Sequence, residues 1–196
     1  DVERVQCDVR NLALEKLLRD GKRHAVSAKH LCGEAADLLL RAMSRCKGIH
    51  CYAVATCCHH RCHPATYVNP EFMAMLGISR LEFQAMCKMS SWVCSEMGEH
   101  SSATNNACGS PGARGNNPDA PSRDTSGDSA ATRLFRNAAQ KLSQAEKKRV
   151  GAMCKLIIDG GRIAFLRRLG YNCTLVRYVP EEVTVENALL CGRLST

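Results

Sequence analysis

The feature that most constrains this chain is an apolar run that breaks off into chemistry. Tyr52, Ala53, Val54 and Ala55 lead into Thr56, Cys57, Cys58, His59, His60, Arg61, Cys62 and His63. Such a run reads as a buried strand ending in a reactive loop. In open α/β sheets, ligands bind outside the carboxyl ends of such strands. Thiols, imidazoles and a guanidinium titrate, hold metal or pair with phosphate. No other stretch here is so loaded.

The rest of the chain supports an α/β reading. His24 to Ala28 is a short strand, 29–33 a loop, and 34–45 a helix with Ala35, Leu38, Leu39, Ala42 and Met43 inward. Residues 49–56 form the next strand, and strand–helix–strand alternation implies a parallel pair. Upstream, 4–9 reads as another strand ending at Asp8, and the leucines between 12 and 18 as a short helix. Downstream, helices are expected over 71–76 and 80–88. Ser143 and Glu146 have capping-box spacing, which opens a long basic helix to about Leu169. Its apolar face is expected from Val150, Met153, Leu156, Ile157, Ile163 and Leu166, with a bend or close packing at Gly160-Gly161. Residues 173–179 and 187–194 read as an antiparallel strand pair.

Length and composition set the outer bounds. The 196 residues suggest one domain with an insertion. Residues 99–131 hold almost no large apolar side chain. They cannot offset their ordering entropy, so they are expected to be a disordered insertion between 1–98 and 132–196. No apolar run is long enough to span a membrane. The net charge of +8 fits a polyanionic partner, nucleic acid ahead of membrane, and equally a plain soluble basic domain. Thirteen cysteines, many inside apolar runs and none spaced Cys-x-x-Cys, argue for a reducing intracellular compartment, cytoplasm or nucleus. The opening residues look like neither a signal peptide nor an initiator, so the sequence is expected to be cut from a longer protein.

Several motifs, in this order, resemble one family. They are Lys29-His30-Leu31-Cys32-Gly33 with Asp37-Leu38, then Cys57-Cys58-His59-His60-Arg61-Cys62, Tyr67 with Asn69, and Ser90-Ser91-Trp92. Asp159-Gly160-Gly161-Arg162 and Glu186-Asn187 belong to the same pattern. The chain is similar to the eukaryotic tRNA ribose 2′-O-methyltransferases that act on the fourth nucleotide of the acceptor stem. The resemblance implies a Rossmann-like sheet, mostly parallel with a terminal antiparallel strand, and S-adenosylmethionine as cofactor. It implies the order third, second, first, fourth, fifth, seventh, sixth, of which this sequence carries the third to seventh strands. The missing two strands and glycine-rich loop would leave a bare edge, and a piece inactive alone.

On that reading, His59 or His60 is the base that draws the proton from a ribose hydroxyl, with Arg61 and Lys29 near a phosphate or the hydroxyl. The resemblance places Asp8, His30, Gly33, Cys57 and Cys58 beside the cofactor. Tyr67, Asn69, Lys147 and Lys148 would face RNA; Trp92 would line its entrance or, by the ordinary preference of its side chain, pack inside. The acceptor stem is A-form and would be read by shape and phosphate. No metal, membrane or protein partner is expected. The alternative is a Cys/His zinc module without catalysis, with Cys57, Cys58, His59, His60 and Cys62 as ligands.

Overall fold

In a computed structural model, residues 2, 4–19, 21–97 and 129–195 are described. They form one four-stranded sheet with helices packed on it. Strands β1 (His24–Cys32), β2 (Ile49–Cys57), β3 (Tyr171–Arg177) and β4 (Ala188–Leu194) lie in the order β1-β2-β4-β3. β1 and β2 are parallel, while β4 runs antiparallel to both β2 and β3. Three strands thus point one way and the C-terminal strand the other. That matches the expected order fourth, fifth, seventh, sixth, with β1 on the outside.

Helices α1 (Glu34–Met43) and α5 (Gln144–Arg168) supply the main core. Leu39, Leu40 and Met43 of α1 meet Ile49, Tyr52 and Val54 of β2, Leu166 of α5, Tyr171 of β3 and Leu190 of β4. The alternation in β3 shows a one-sided cover: Tyr171 and Cys173 are buried, Asn172 and Thr174 exposed. A second apolar cluster joins α2 (Pro70–Met75), α3 (Arg80–Met89) and α5 through Tyr67, Met73, Phe83, Cys87 and Ile158. No helix is long and apolar enough to cross a membrane among the described residues.

The structure corrects several expectations. Residues 4–8 form no strand: Asp8 instead accepts the Arg10 amide at 2.8 Å and caps a 3-10 turn over Val9–Asn11. Such local side-chain bonding competes with a ladder. The leucine-rich segment forms only a 3-10 turn, Leu14–Lys16, anchored by buried Leu14. Residues 29–32 extend β1 rather than form a loop, with a register shift between Ala28 and Leu31. Helix α4 (Ala130–Lys141) was not expected at all; Ser129 caps it, and its Phe135 ring stacks on Trp92. The insertion expected over 99–131 lies outside the described residues, apart from its last three.

The inward face of α5 also differs. Met153 and Leu156 are 58% and 55% exposed, while Gly151, Cys154, Ile158, Asp159, Gly161 and Arg162 are buried. Small residues let this face approach its neighbours closely. A Cβ on Gly151 would stand 2.9 Å from Val93, and one on Gly161 would run into the Tyr67 hydroxyl. The helix is continuous through Gly160-Gly161, and of the pair it is Gly161 that serves close packing, since a Cβ on Gly160 would meet Phe72 only at an ordinary 3.7 Å.

Candidate active site

Close packing of α5 carries two charged side chains into the interior. Arg162 is fully buried, as are Asp37, Asp159 and His59. Arg162 donates to Asp37 through Nε at 3.1 Å and Nη2 at 2.6 Å, and to Asp159 through Nη1 at 2.9 Å. Its Nη2 also reaches the Gly33 carbonyl at 3.0 Å and the Cys62 sulfur at 3.2 Å. Asp159 Oδ2 receives both Thr56 Oγ1 and His59 Nε2 at 2.9 Å. Burial alone would raise the Asp159 carboxyl, but His59 and Arg162 hold it well below the usual carboxylate range. The Asp37 and Asp159 carboxylates outweigh the same burial at Arg162 and keep its guanidinium charged.

This network fixes the turn after β2. His59, His60 and Arg61 form a 3-10 turn entered through Cys58, whose φ of 49° is left-handed. Gly33, with φ of 57°, sits directly on that turn, where a Cβ would meet the Arg61 Cβ at 2.5 Å. Its N–H donates to the Cys57 carbonyl at 3.1 Å. The ends of β1 and β2 and the turn are therefore locked together from beneath.

What the turn presents outward is His60 and Arg61, both exposed. Partial burial pushes the His60 imidazole below the ordinary histidine value; Glu186 opposes this, while Arg61 and Lys155 reinforce it. Lys155 of α5 pairs with Glu186 at 3.0 Å and donates to the Val185 carbonyl at 3.2 Å. Glu186 also accepts from the Cys94 thiol at 3.8 Å. Asp8 lies toward the same end of the sheet through Arg10, which bonds Glu34 at the start of α1 at 3.4 Å.

The expected site residues divide into two groups. His60, Arg61, Lys29, His30 and Asp8 are exposed. His59, Tyr67 and Asn69 are interior: the Tyr67 hydroxyl donates to the Ile158 carbonyl at 2.7 Å, and Asn69 caps α2 while donating to the Gly161 carbonyl at 2.8 Å. Trp92 is packed inside. On α5, Lys148 pairs with Glu181 at 3.5 Å, Arg167 bonds the Cys173 carbonyl at 3.2 Å and Arg168 bonds Asn69 at 2.9 Å, so much of its charge is engaged within the fold. Lys147 is half-buried. Asp159, Arg162, Lys155 and Glu186 were not assigned roles from sequence. The signal for the first two was present, since both interrupt an apolar helix beside a glycine pair.

The expected cofactor residues do not form a self-contained pocket. Gly33 is already filled by Arg61, Cys57 touches Cys32 at 3.4 Å, and Asp8 engages Arg10. Two open hollows, about 580 and 560 Å³, lie at the other end of the strands, lined by residues such as Arg23, His24, Lys47 and His50.

Comparison with known proteins places this arrangement in a methyltransferase family. The chain belongs to the family described as Methyltransferase TRM13, whose model matches residues 1–193. It is 32% identical to the human protein named tRNA:m(4)X modification enzyme TRM13 homolog, covering 96% of this chain and 48% of the relative. It is 31% identical to the TRM13 enzyme of Eremothecium gossypii over 98% of this chain and 39% of the relative. The Schizosaccharomyces pombe enzyme is 30% identical over 95% of this chain and 45% of its own length. The chain thus spans less than half the length of these relatives. No solved structure matches it significantly.

Proposed function

We propose that this chain forms part of the catalytic domain of a tRNA 2′-O-methyltransferase of Rossmann-like type, acting on the fourth nucleotide of the acceptor stem. The observation that carries this reading is His60, held outward at the end of β2 by a fully buried ion network. A ribose hydroxyl is a weak nucleophile, and a positioned base contributes ~10²–10⁴-fold. The depressed His60 imidazole is neutral near pH 7 and able to take that proton. Lys155 and Glu186 set its local field. Arg61, exposed beside it, pairs on this reading with a phosphate flanking the ribose. His59 acts from beneath, as the residue that positions the turn through Asp159.

S-adenosylmethionine supplies an activated methyl group to such enzymes. The described residues do not enclose it; on this reading they bind RNA and handle the hydroxyl proton. Recognition of the stem by shape and phosphate suits the chain's net charge of +8.

The test is methyl transfer to a tRNA transcript by the protein carrying this chain at its native length, with labelled S-adenosylmethionine. The expected product is an alkali-resistant linkage at the fourth nucleotide, absent when that nucleotide carries a 2′-deoxyribose. Label retained on the deoxy transcript would place the methyl on a base and overturn the reading.

A further inference from the structure

Cys32, at the end of β1, and Cys57 and Cys58, at the end of β2, bring three sulfurs within 4.8 Å of one another. Cys32 and Cys57 are register partners in the parallel pair, with sulfurs 3.4 Å apart. All three are free thiols and half-buried. The geometry points to a three-thiolate site for a zinc ion, with a fourth position left open to water.

The spacing fits such an ion. Zinc–sulfur bonds of about 2.3 Å put tetrahedral ligand sulfurs about 3.8 Å apart and trigonal ones about 4.0 Å apart. One sulfur pair stands at 3.4 Å and all three lie within 4.8 Å of one another, close to those separations. The set differs from the one the sequence suggested. His59 is committed to Asp159, and Cys62 lies buried against Arg162 at 3.2 Å. Cys32, distant in sequence, takes their place.

A second observation is independent of the sulfur distances. Among the described residues, only two non-glycine residues have positive φ: Cys58 at 49°, itself one of the three, and His30 at 60°, two residues before Cys32. Such conformations cost on the order of 1–3 kcal/mol and gather at ligand clamps and active sites. The left-handed turn at Cys58 brings its thiol back toward the strand ends.

Without metal, burial first and the neighbouring Cys32 thiol next push the Cys57 and Cys58 thiols up, so these two hold their protons near neutrality. Metal entry displaces those protons, and affinity falls as pH falls. The zinc would tie the β1 and β2 ends beneath the 59–61 turn, independently of any methyl transfer.

The experiment titrates the reduced, anaerobic full chain with Co²⁺, then Zn²⁺. The expected result is a thiolate-to-cobalt charge-transfer band saturating at about one equivalent and bleached by zinc. Cys58→Asn, which suits the left-handed backbone, and Cys32→Ser should each abolish it, while Cys51→Ser on exposed Cys51 should not. Far-UV circular dichroism identifies a variant that fails to fold, and Cys58→Asn then decides. Absence of the band in the native chain, its survival in Cys58→Asn, or its equal loss in Cys51→Ser would overturn the site.

Discussion

Arg162 and Asp37 meet in the fully buried interior, Nη2 to Oδ2 at 2.6 Å, although 125 residues separate them. The pair joins the long helix to the helix that follows β1. The same guanidinium bonds Asp159 and, through it, His59. Two carboxylates face one guanidinium, and the imidazole completes the set. Burying charges is costly unless each is paired and hydrogen-bonded, and here Asp37 also accepts the Val68 amide at 3.3 Å. Such a network is weak evidence for extra stability. Its value here is positional, because it fixes the turn that presents His60 and Arg61.

Removing the guanidinium takes its charge away from two buried carboxylates, leaving Asp37 with the Val68 amide and Asp159 with Thr56 and His59. Arg162→Met should cost roughly 3–5 kcal/mol in urea unfolding. Arg162→Lys should recover little, since an ammonium cannot reproduce the fork to both Asp37 oxygens. Arg162→Met combined with Asp37→Asn should cost less than the two single losses together. Strict additivity would refute the coupling.

The depressed Asp159 carboxyl links stability to pH. Its folded value lies below the unfolded one, so the contribution is present above about pH 3.9 and lost as pH falls through the folded value. Asp159→Asn should therefore be destabilised relative to the native chain near pH 7, with the gap narrowing below about pH 4. Urea midpoints across that range measure it. A gap that stays constant would mean the carboxylate is not held by its partners.

How much of this was legible in the sequence differs by element. β2 and its loaded end were readable because an apolar run and a Cys/His cluster are local signals. The capping box at Ser143 marks α5 in the same local way. The inward face of α5 was not readable, because ranking by hydrophobicity favours Met153 and Leu156. The real interface is chosen by glycines that admit Tyr67 and Val93, a matter of shape between distant segments. His59 and His60 are adjacent and chemically identical in the sequence. Only the placement of Asp159, one hundred residues away, separates the buried imidazole from the exposed one. The 4–9 segment failed for another reason: strand composition without a neighbour yields to local turn bonding at Asp8.

Gly161 offers a test of the packing argument. Gly161→Ala adds a Cβ where the Tyr67 hydroxyl lies and 2.9 Å from the Phe72 ring. On helix propensity alone, alanine should stabilise by about 1 kcal/mol. Overpacking should outweigh this, for a net loss of about 1–3 kcal/mol. Adding Tyr67→Phe removes the hydroxyl that clashes, so the double variant should regain part of the loss in thermal or urea melts. A single variant more stable than the native chain would show that the helix can move away.

His60 is the sharpest test of the site, because its titration can be followed without any substrate. Its imidazole should titrate below the ordinary value of about 6.5 in an NMR pH series. Glu186 is the group that raises it, and Lys155, paired with Glu186 at 3.0 Å, is one of those that lower it. Glu186→Gln removes the anion and leaves the Lys155 charge uncompensated, so both changes drive the midpoint lower. If neutral His60 takes the hydroxyl proton, methyl transfer should weaken only on the acid side of its midpoint. The Glu186→Gln variant should then carry that acid limb to lower pH in step with the NMR titration. A limb that stays in place while the imidazole moves would remove His60 from the proton transfer.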